Sequence, residues 1–401
     1  MNLSKKYYIN LEAIFLYSFF VVLFIPKVDL ISIPGFWQGI RLEDLILMSY
    51  SLIVILNFRE KIINNLLVQK FLPLLYYFII IFISSFIGKM SGSTIVYFSL
   101  LRIIEYTILV ILLCNFKISK QQFLFFIKLY VLVNIIFVLL QKFSLFGSFT
   151  SLGYLSPDHE LSARVMGLAG GSWELGIIVG LCYFIIITLE KPNLSKIMFY
   201  FFIALYLNLE AQSRINFIGF VLANLFFLKG FIERKKYIVI VSAFLILCIL
   251  SIIFIEFLNI DSYQRLIKTN YVQSLEIVKN FVLFFELPNR EFLDETVWSL
   301  WYRLSLWSKL IPPYFDNFFT VLLGSGNYVV YYESGILRII FTTGFIGCLY
   351  VMFMVRKLEV FIIVYFIFVG LTLDIFNSFK IFGFTMLYYK FIYENYSHRR
   401  N

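Results

Sequence analysis

Apolar runs of about 20 residues recur along almost the whole chain, each long enough to cross roughly 30 Å of hydrocarbon as a helix. The spans they predict are 8–26, 43–58, 71–88, 94–115, 123–142, 173–190, 196–211, 215–231, 237–257, 335–355, 360–376 and 379–394. Segments of about ten residues alternating apolar and polar, the signature of a membrane barrel, are absent. The pattern predicts an all-α polytopic membrane protein with about 12 transmembrane helices. Three parts follow: helices with an outer loop at 143–172 (1–257), one long polar interruption (258–334), and the C-terminal helices (335–401).

Within the interruption, Tyr271, Leu275, Val278, Val282 and Phe285 recur at helical spacing. They predict an amphipathic helix lying in the membrane interface and ended by Pro288. Trp298 to Trp307 predicts a second helix, with Arg303 and Trp307 on one face and Pro312-Pro313 as its stop. The same aromatic composition also fits a plain interfacial anchor. Two places stay open. The spans 196–211 and 215–231 are separated only by Gln212-Ser213-Arg214, and 360–376 with 379–394, carrying Asp374, Lys380 and Lys390, reads as two spans or one kinked element.

Composition sharpens the class. At 61% hydrophobic and 14% charged residues, the chain is not an ordinary soluble domain. Its net charge of +10 does not call for nucleic acid, because the basic residues fall on connectors of one face. Lys5/Lys6, Arg59/Lys61/Lys70, Lys117/Lys120, Lys191/Lys196, Arg234/Lys235/Lys236, Arg356/Lys357 and Arg399/Arg400 mark that face, and both termini, as cytoplasmic. Cys114, Cys182, Cys248 and Cys348 lie in apolar runs without a CxxC partner, and the histidines are only His159 and His398. Neither a disulfide framework, a metal centre nor a cofactor is expected.

Arginines on the opposite face run against the topology signal and are the candidates for chemistry. They are Arg164 in Ser162-Ala163-Arg164-Val165-Met166-Gly167, Arg214, Arg290, Arg303 and Arg338. A guanidinium is always charged and offers a planar fork of donors to phosphate oxygens. Taken singly, each could instead pair with Asp158, Glu160, Glu174 or a loop carboxylate, or snorkel to headgroups. Gly324-Ser325-Gly326 fits a backbone anion nest or a plain turn. Glu333 fits a helix cap or a base toward a sugar hydroxyl. Arg102 and Glu105 are spaced to pair within one span.

Four places together resemble the bacterial O-antigen polymerases and the related O-antigen ligases. They are Arg164-Val165-Met166-Gly167 with Trp173-Glu174-Leu175-Gly176; Ser213-Arg214; Arg303 with Trp307; and Gly324-Ser325-Gly326 followed by Glu333-Ser334 and Gly344-Phe345-Ile346-Gly347. The ligases place a histidine near the position of Glu333, and the long loop here has none, which points to the polymerase. The proline usual near Trp173 is missing, a departure that bears on Arg164.

The resemblance implies a GT-C-like glycosyltransferase of the bacterial inner membrane with a periplasmic active site. It would transfer the growing undecaprenyl-diphosphate-linked chain onto a new lipid-linked repeat unit without a metal. Arg214 and Arg303, with Arg164 and Arg290 behind them, would hold the diphosphate, and Glu333 would serve the acceptor. Trp298 and Trp301 would stack on sugars, and Gly324 and Gly326 would line the site. Implied partners are the lipid-linked repeat units, membrane lipids and a chain-length regulator. The competing assignments are a flippase for the same lipids, a ligase, and a capsule polymerase.

Overall fold

The computed structural model describes residues 11–25, 29–31, 40–52, 66–90, 97–115, 118–150, 153–157, 165–231, 270–326, 334–356, 358–373, 375 and 378–398. The span expected at 237–257 lies outside these residues. The described chain is mostly helical. Its helices are α1 (Leu11–Phe24), α2 (42–52), α3 (Leu66–Met90), α4 (Tyr97–Asn115), α5 (Lys120–Lys142), α6 (Ser172–Glu190), α7 (Leu194–Glu210) and α8 (Arg214–Phe231). After these come α9 (Tyr271–Phe284), α10 (Trp298–Phe315), α11 (Phe318–Leu323), α12 (Gly335–Val355), α13 (Val360–Thr372) and α14 (Phe379–His398).

Leu72–Met90, Lys120–Lys142, Ser172–Glu190 and Gly335–Val355 are 19 to 23 residues long and apolar enough to cross a membrane. At a rise of 1.5 Å per residue the shortest reaches about 28 Å, close to the hydrocarbon thickness. Ile103–Leu113, Ile215–Leu228 and Val360–Thr372 are shorter apolar helices. Two small antiparallel strand pairs, Asp29–Ile31 with Ile40–Arg41 and Ser148–Thr150 with Gly153–Leu155, and two 3-10 turns, Arg290–Phe292 and Glu295–Val297, complete the described elements. Strands of two or three residues are too short to show an alternating pattern, so the sequence reading passed over them.

The chain groups into two compact units. One comprises Met1–Leu75, Leu100–Leu207 and Ser378–Asn401, the other Tyr76–Ser99 and Asn208–Asn377. The described part of the polar interruption belongs to the second and is not a unit of its own.

In the first unit α6 is buried on nearly every side and packs against both α5 and α14. Its neighbours lock through aromatic rings. Phe20 stacks on Phe126 at 3.9 Å, Tyr106 on Phe382 at 4.3 Å and Phe123 on Phe391 at 5.1 Å, while Tyr130 meets Phe384 edge-on. Helix association in an apolar medium relies on such close packing, since lipid removes most of the hydrophobic drive between helices. Polar side chains in this core answer backbone groups. Lys390, almost fully buried, donates from Nζ to the Leu113 carbonyl at 2.7 Å. That carbonyl lies in the last turn of α4, where no intrahelical N–H remains. The last two helices are separate elements. Leu373 is extended, and Ser378 opens α14 by accepting from the Ile381 N–H.

In the second unit α8 lies along α13, where a Cβ on Gly219 would meet Phe368 and Val369 at 3.3 Å. The α9 and α10 pair forms a helical hairpin around Ile277, Phe281, Val297 and Leu304. The expected helix forms as α9, and Tyr271, Leu275, Val278, Val282 and Phe285 lie on its uncovered side, with Leu275 72% exposed. The residues facing α10 lie about a quarter turn away on the wheel, so the apolar arc is wider than one partner covers. The stop at Pro312-Pro313 is corrected, because α10 continues to Phe315. Proline's fixed φ suits a helix, and the bonds lost are confined to its last turn.

Helix α12 breaks at Gly344, whose φ is 63°. Phe341 O accepts from the Ser325 N–H at 2.8 Å and Thr342 O from the Gly326 N–H at 3.2 Å, while the Tyr314 hydroxyl donates to Ile340 O. On the other side, Ser84 Oγ donates to the Leu323 carbonyl and Ser85 Oγ to that of Gly326 at 3.0 Å. Backbone passes so close here that a Cβ on Gly344 would stand 2.4 Å from the Gly324 nitrogen. Gly344→Ala should therefore cost at least about 2 kcal/mol through its positive φ and overpacking. Gly370→Ala, whose added carbon meets nothing nearer than 3.5 Å, should be close to neutral. Thermal unfolding in detergent compares the two, and equal midpoints would contradict the tight crossing.

Candidate functional site

The residues of interest lie in one place in the first unit and in several in the second. In the first unit it is the connector that Arg164 enters. Arg164 itself is outside the described residues, which resume at Val165. From there to Gly171 the chain is not helical, yet the N–H groups from Met166 to Gly170 are all bonded. Gln141 Oε1, at the end of α5, accepts the N–H groups of Met166 at 2.9 Å and Gly167 at 2.8 Å. Its Nε2 donates to the carbonyls of Gly147 and Gly167. Asn134, two turns earlier on the same helix and fully buried, accepts the Leu168 N–H at 2.9 Å and donates to Tyr130 O.

Gly167 sits at φ 56°, and a Cβ there would come within 2.4 Å of Asn134 Oδ1, so the turn demands glycine. Glu174, 2% exposed in the first turn of α6, accepts the Gly170 N–H at 2.6 Å and the Ser378 hydroxyl. A carboxylate is favoured there by the helix dipole as well. Lys380 reaches in from α14, 5% exposed, and donates to the Leu168 carbonyl at 2.7 Å.

The sequence singled out Glu174 only as a possible partner for an arginine. Asn134, Gln141, Ser378 and Lys380 were not singled out for the site at all. Their signal was polar side chains within or at the ends of apolar spans, which are costly unless paired and so mark constrained places.

In the second unit Arg214 is the first residue of α8. It follows a sharp turn in which Gln212 adopts φ 51° and its N–H returns to Leu209 O. Asn208, Glu210 and Asn216 around that turn are buried. Arg338, the buried arginine of α12, follows Ser334, which caps the helix by accepting the Leu337 N–H. Ser334 thus takes the capping role offered to Glu333, which lies outside the described residues. Glu105 is buried in α4, and the side chain of Arg102 is outside the description.

The helical hairpin brings two predicted residues together. The Arg290 guanidinium lies over the Trp298 ring at 4.2 Å, an arrangement that covers one face of the indole. The indole N–H groups are engaged too: Trp298 Nε1 donates to Leu293 O at 3.3 Å and Trp301 Nε1 to Pro288 O at 2.9 Å. Both tryptophans therefore hold the 285–297 connector onto α10. Trp307 packs on the hairpin core, and Arg303, one turn before it, is half-buried at the margin of that face.

Gly324-Ser325-Gly326 does not form an anion nest. Its three N–H groups are donated to the carbonyls of Thr320, Phe341 and Thr342, which leaves none to point at a ligand. Gly324 and Gly326 serve close backbone packing instead. Among the described residues no group of three or more His, Cys, Asp or Glu side chains is placed to hold a metal ion. No known protein family, curated protein or solved structure matches the chain.

The hairpin connector carries one electrostatic handle. Asp294 Oδ1 accepts the Thr296 N–H at 2.8 Å, and that bond, with the Thr296 hydroxyl, holds its carboxyl below the usual aspartate range. A depressed folded value means the ionised form is bound more tightly, so its contribution is present at neutral pH. It is lost as pH falls below about 4, through the folded value. Amide exchange at Thr296 should rise in acid for the wild type, beyond the intrinsic pH trend. Asp294→Asn should be loosened already at neutral pH and show no such step; identical profiles for both proteins would refute the role given to this carboxylate.

Proposed function

We propose that the protein is an O-antigen polymerase of the bacterial inner membrane, with about 12 spans, cytoplasmic termini and a site open to the periplasm. The observation that carries this reading is the fastening of residues 165–171. A buried polar set in an apolar helical unit fixes the segment that directly follows Arg164. Such polar investment inside membrane helices is expensive, and it is a default marker of function. The Arg214 turn and Arg303 on the hairpin supply further cations on connectors assigned to the same face.

In the reaction, a hydroxyl at the non-reducing end of the new lipid-linked repeat attacks the anomeric carbon of the growing chain. The bond from that carbon to the undecaprenyl diphosphate breaks, and the diphosphate departs with the electron pair. Arg214, Arg303 and Arg164 are the cations available to meet the developing negative charge, a contribution that preorganised donors make most strongly away from water. Glu333 receives the acceptor proton. Arg290, bound to Trp298, acts at the edge of the site rather than as a free diphosphate ligand. The assignment rests on arginines and so predicts activity that survives EDTA.

Purified protein in liposomes, given lipid-linked repeat units, should build a ladder of polymer. Arg214→Ala and Arg303→Ala should each lower the rate by about 100- to 1000-fold, as loss of one charge-stabilising group does. The lysine replacements should recover part of it, because they keep charge without the fork. In cells the alanine variants should leave single capped repeats on lipopolysaccharide. Loss of all O-antigen in a knockout would point to the flippase, and bare core with lipid-linked polymer to the ligase. Normal ladders from both alanine variants at wild-type expression would sink the polymerase.

A further inference from the structure

The last described part of the polar interruption is anchored inward of the ends of two helices, α3 and α12. Leu310, Ile311 and Tyr314 near the end of α10, with Val321 of α11, pack together with Leu337, Ile340 and Phe341 of α12. Gly326 lies against Thr342 of the same helix and against Ser85 of α3. Phe341 is six residues past the start of α12 and Ser84 six before the end of α3, so each lies about 9 Å in along its helix. Both helices contain a stretch long and apolar enough to cross a membrane. The pattern of basic connectors assigns the Met90 end of α3 and the Gly335 start of α12 to the same outer face. Sequence alone leaves 258–334 wholly outside the spans, whereas these contacts draw residues 310–326 inward.

The backbone of this segment is paired within the protein. The Phe319 N–H goes to Asn317 Oδ1, those of Thr320 and Val321 to the Asn317 carbonyl, and that of Gly324 to the Thr320 carbonyl. Those of Ser325 and Gly326 reach α12. The Val321 carbonyl accepts from the Tyr314 hydroxyl, and those of Leu323 and Gly326 from Ser84 and Ser85. Irregular backbone at membrane depth must be paired in this way, a demand that water relaxes at a surface. The side chains left uncovered are apolar: Phe315 is 64%, Phe318 71% and Phe319 60% exposed. At the same level α3 also exposes apolar side chains, Ile83 and Phe86.

We propose that residues 310–326 form a re-entrant wedge in the outer leaflet, whose exposed Phe315, Phe318 and Phe319 take the acyl chains of the bilayer as their partner. The corner between α10 and α11, Asp316-Asn317, is polar and exposed and marks the headgroup level. The phenylalanines on either side then reach the acyl boundary, about 5–10 Å in, which agrees with the anchoring depth on the two spans. The inference requires α3 and α12 to cross the membrane and is independent of the polymerase reading.

Two measurements test it. Wild-type protein is irradiated in liposomes of phosphatidylethanolamine and phosphatidylglycerol that include a phospholipid with an aryl diazirine on its acyl chain. The peptide containing Phe315, Phe318 and Phe319 should take up the label, and the peptide containing Glu291, exposed on the connector between α9 and α10, should not. In the second measurement Phe318→Cys and Phe319→Cys, in a chain whose native cysteines are replaced, carry a nitroxide in lipid nanodiscs. Collision with oxygen, which concentrates in the bilayer, should exceed collision with a water-soluble nickel chelate, and the order should reverse for Glu291→Cys. Should the cysteine variants fail to fold, photolabelling of the wild type decides alone. A 315–319 peptide without label, or nitroxides there that favour the nickel chelate, overturns the inference. Dipolar broadening between nitroxides on separate chains would give the phenylalanines to a second copy of this chain, and overturns it as well.

Discussion

A peptide group in apolar surroundings must find its hydrogen-bond partner within the protein, because neither lipid nor neighbouring leucines supply one. Helices meet that demand internally, which is why the described chain is so nearly all helix. Among the described residues, three places where the helix pattern fails show how the demand is met by reaching across the fold. The end of α4 takes the ammonium of Lys390. The break of α12 at Gly344 hands its carbonyls to Tyr314, Ser325 and Gly326. The non-helical connector at 165–171 draws on Asn134, Gln141, Glu174 and Lys380.

These repairs explain how the few polar residues of the spans are used. Ser84 and Ser85 point their hydroxyls at the backbone of the glycine run, and Ser334 caps α12 while donating to Gly370 O. Many other contacts between helices are aromatic or apolar, with glycine where backbones or bulky rings approach, although Lys128 also pairs with Glu190 between α5 and α6. Breaking one such polar fastening leaves a carbonyl or amide stranded, at a cost of several kcal/mol in hydrocarbon. The places where the chain departs from helix are thus rigid rather than loose. Rigid irregular backbone beside charged side chains is what a catalytic site requires, since donors must be aimed before the charge develops.

The arginines fit this division of labour. Arg214 begins α8 just after a turn at the left-handed Gln212, and the segment that follows Arg164 turns at Gly167. Arg303 belongs to a hairpin whose connector is pinned by two indoles and by Arg290 over Trp298. On the proposed reading, the long polar segment is one contributor to the site, and the membrane helices supply as much of it.

By itself the sequence determined the helices. Spans such as 335–355, and 173–190 and 215–231 to within a residue at the start, match the elements formed, because a run of about 20 apolar residues has few other ways to satisfy its backbone in a membrane. It also marked Gln212-Ser213-Arg214 as a turn and α9 and α10 as helices. Which face of α9 is covered was decided only by tertiary contact, since both Ile277–Phe281 and Leu275–Val282 are apolar at helical spacing. The role of Gly324 and Gly326 was likewise hidden: two glycines in sequence fit a nest as well as a crossing, and only the partner carbonyls of α12 distinguish them. The fastening of the Arg164 connector was hidden most deeply. Two of its contacts, Lys380 to Leu168 and Ser378 to Glu174, join residues more than 200 positions apart and leave no periodic trace along the chain.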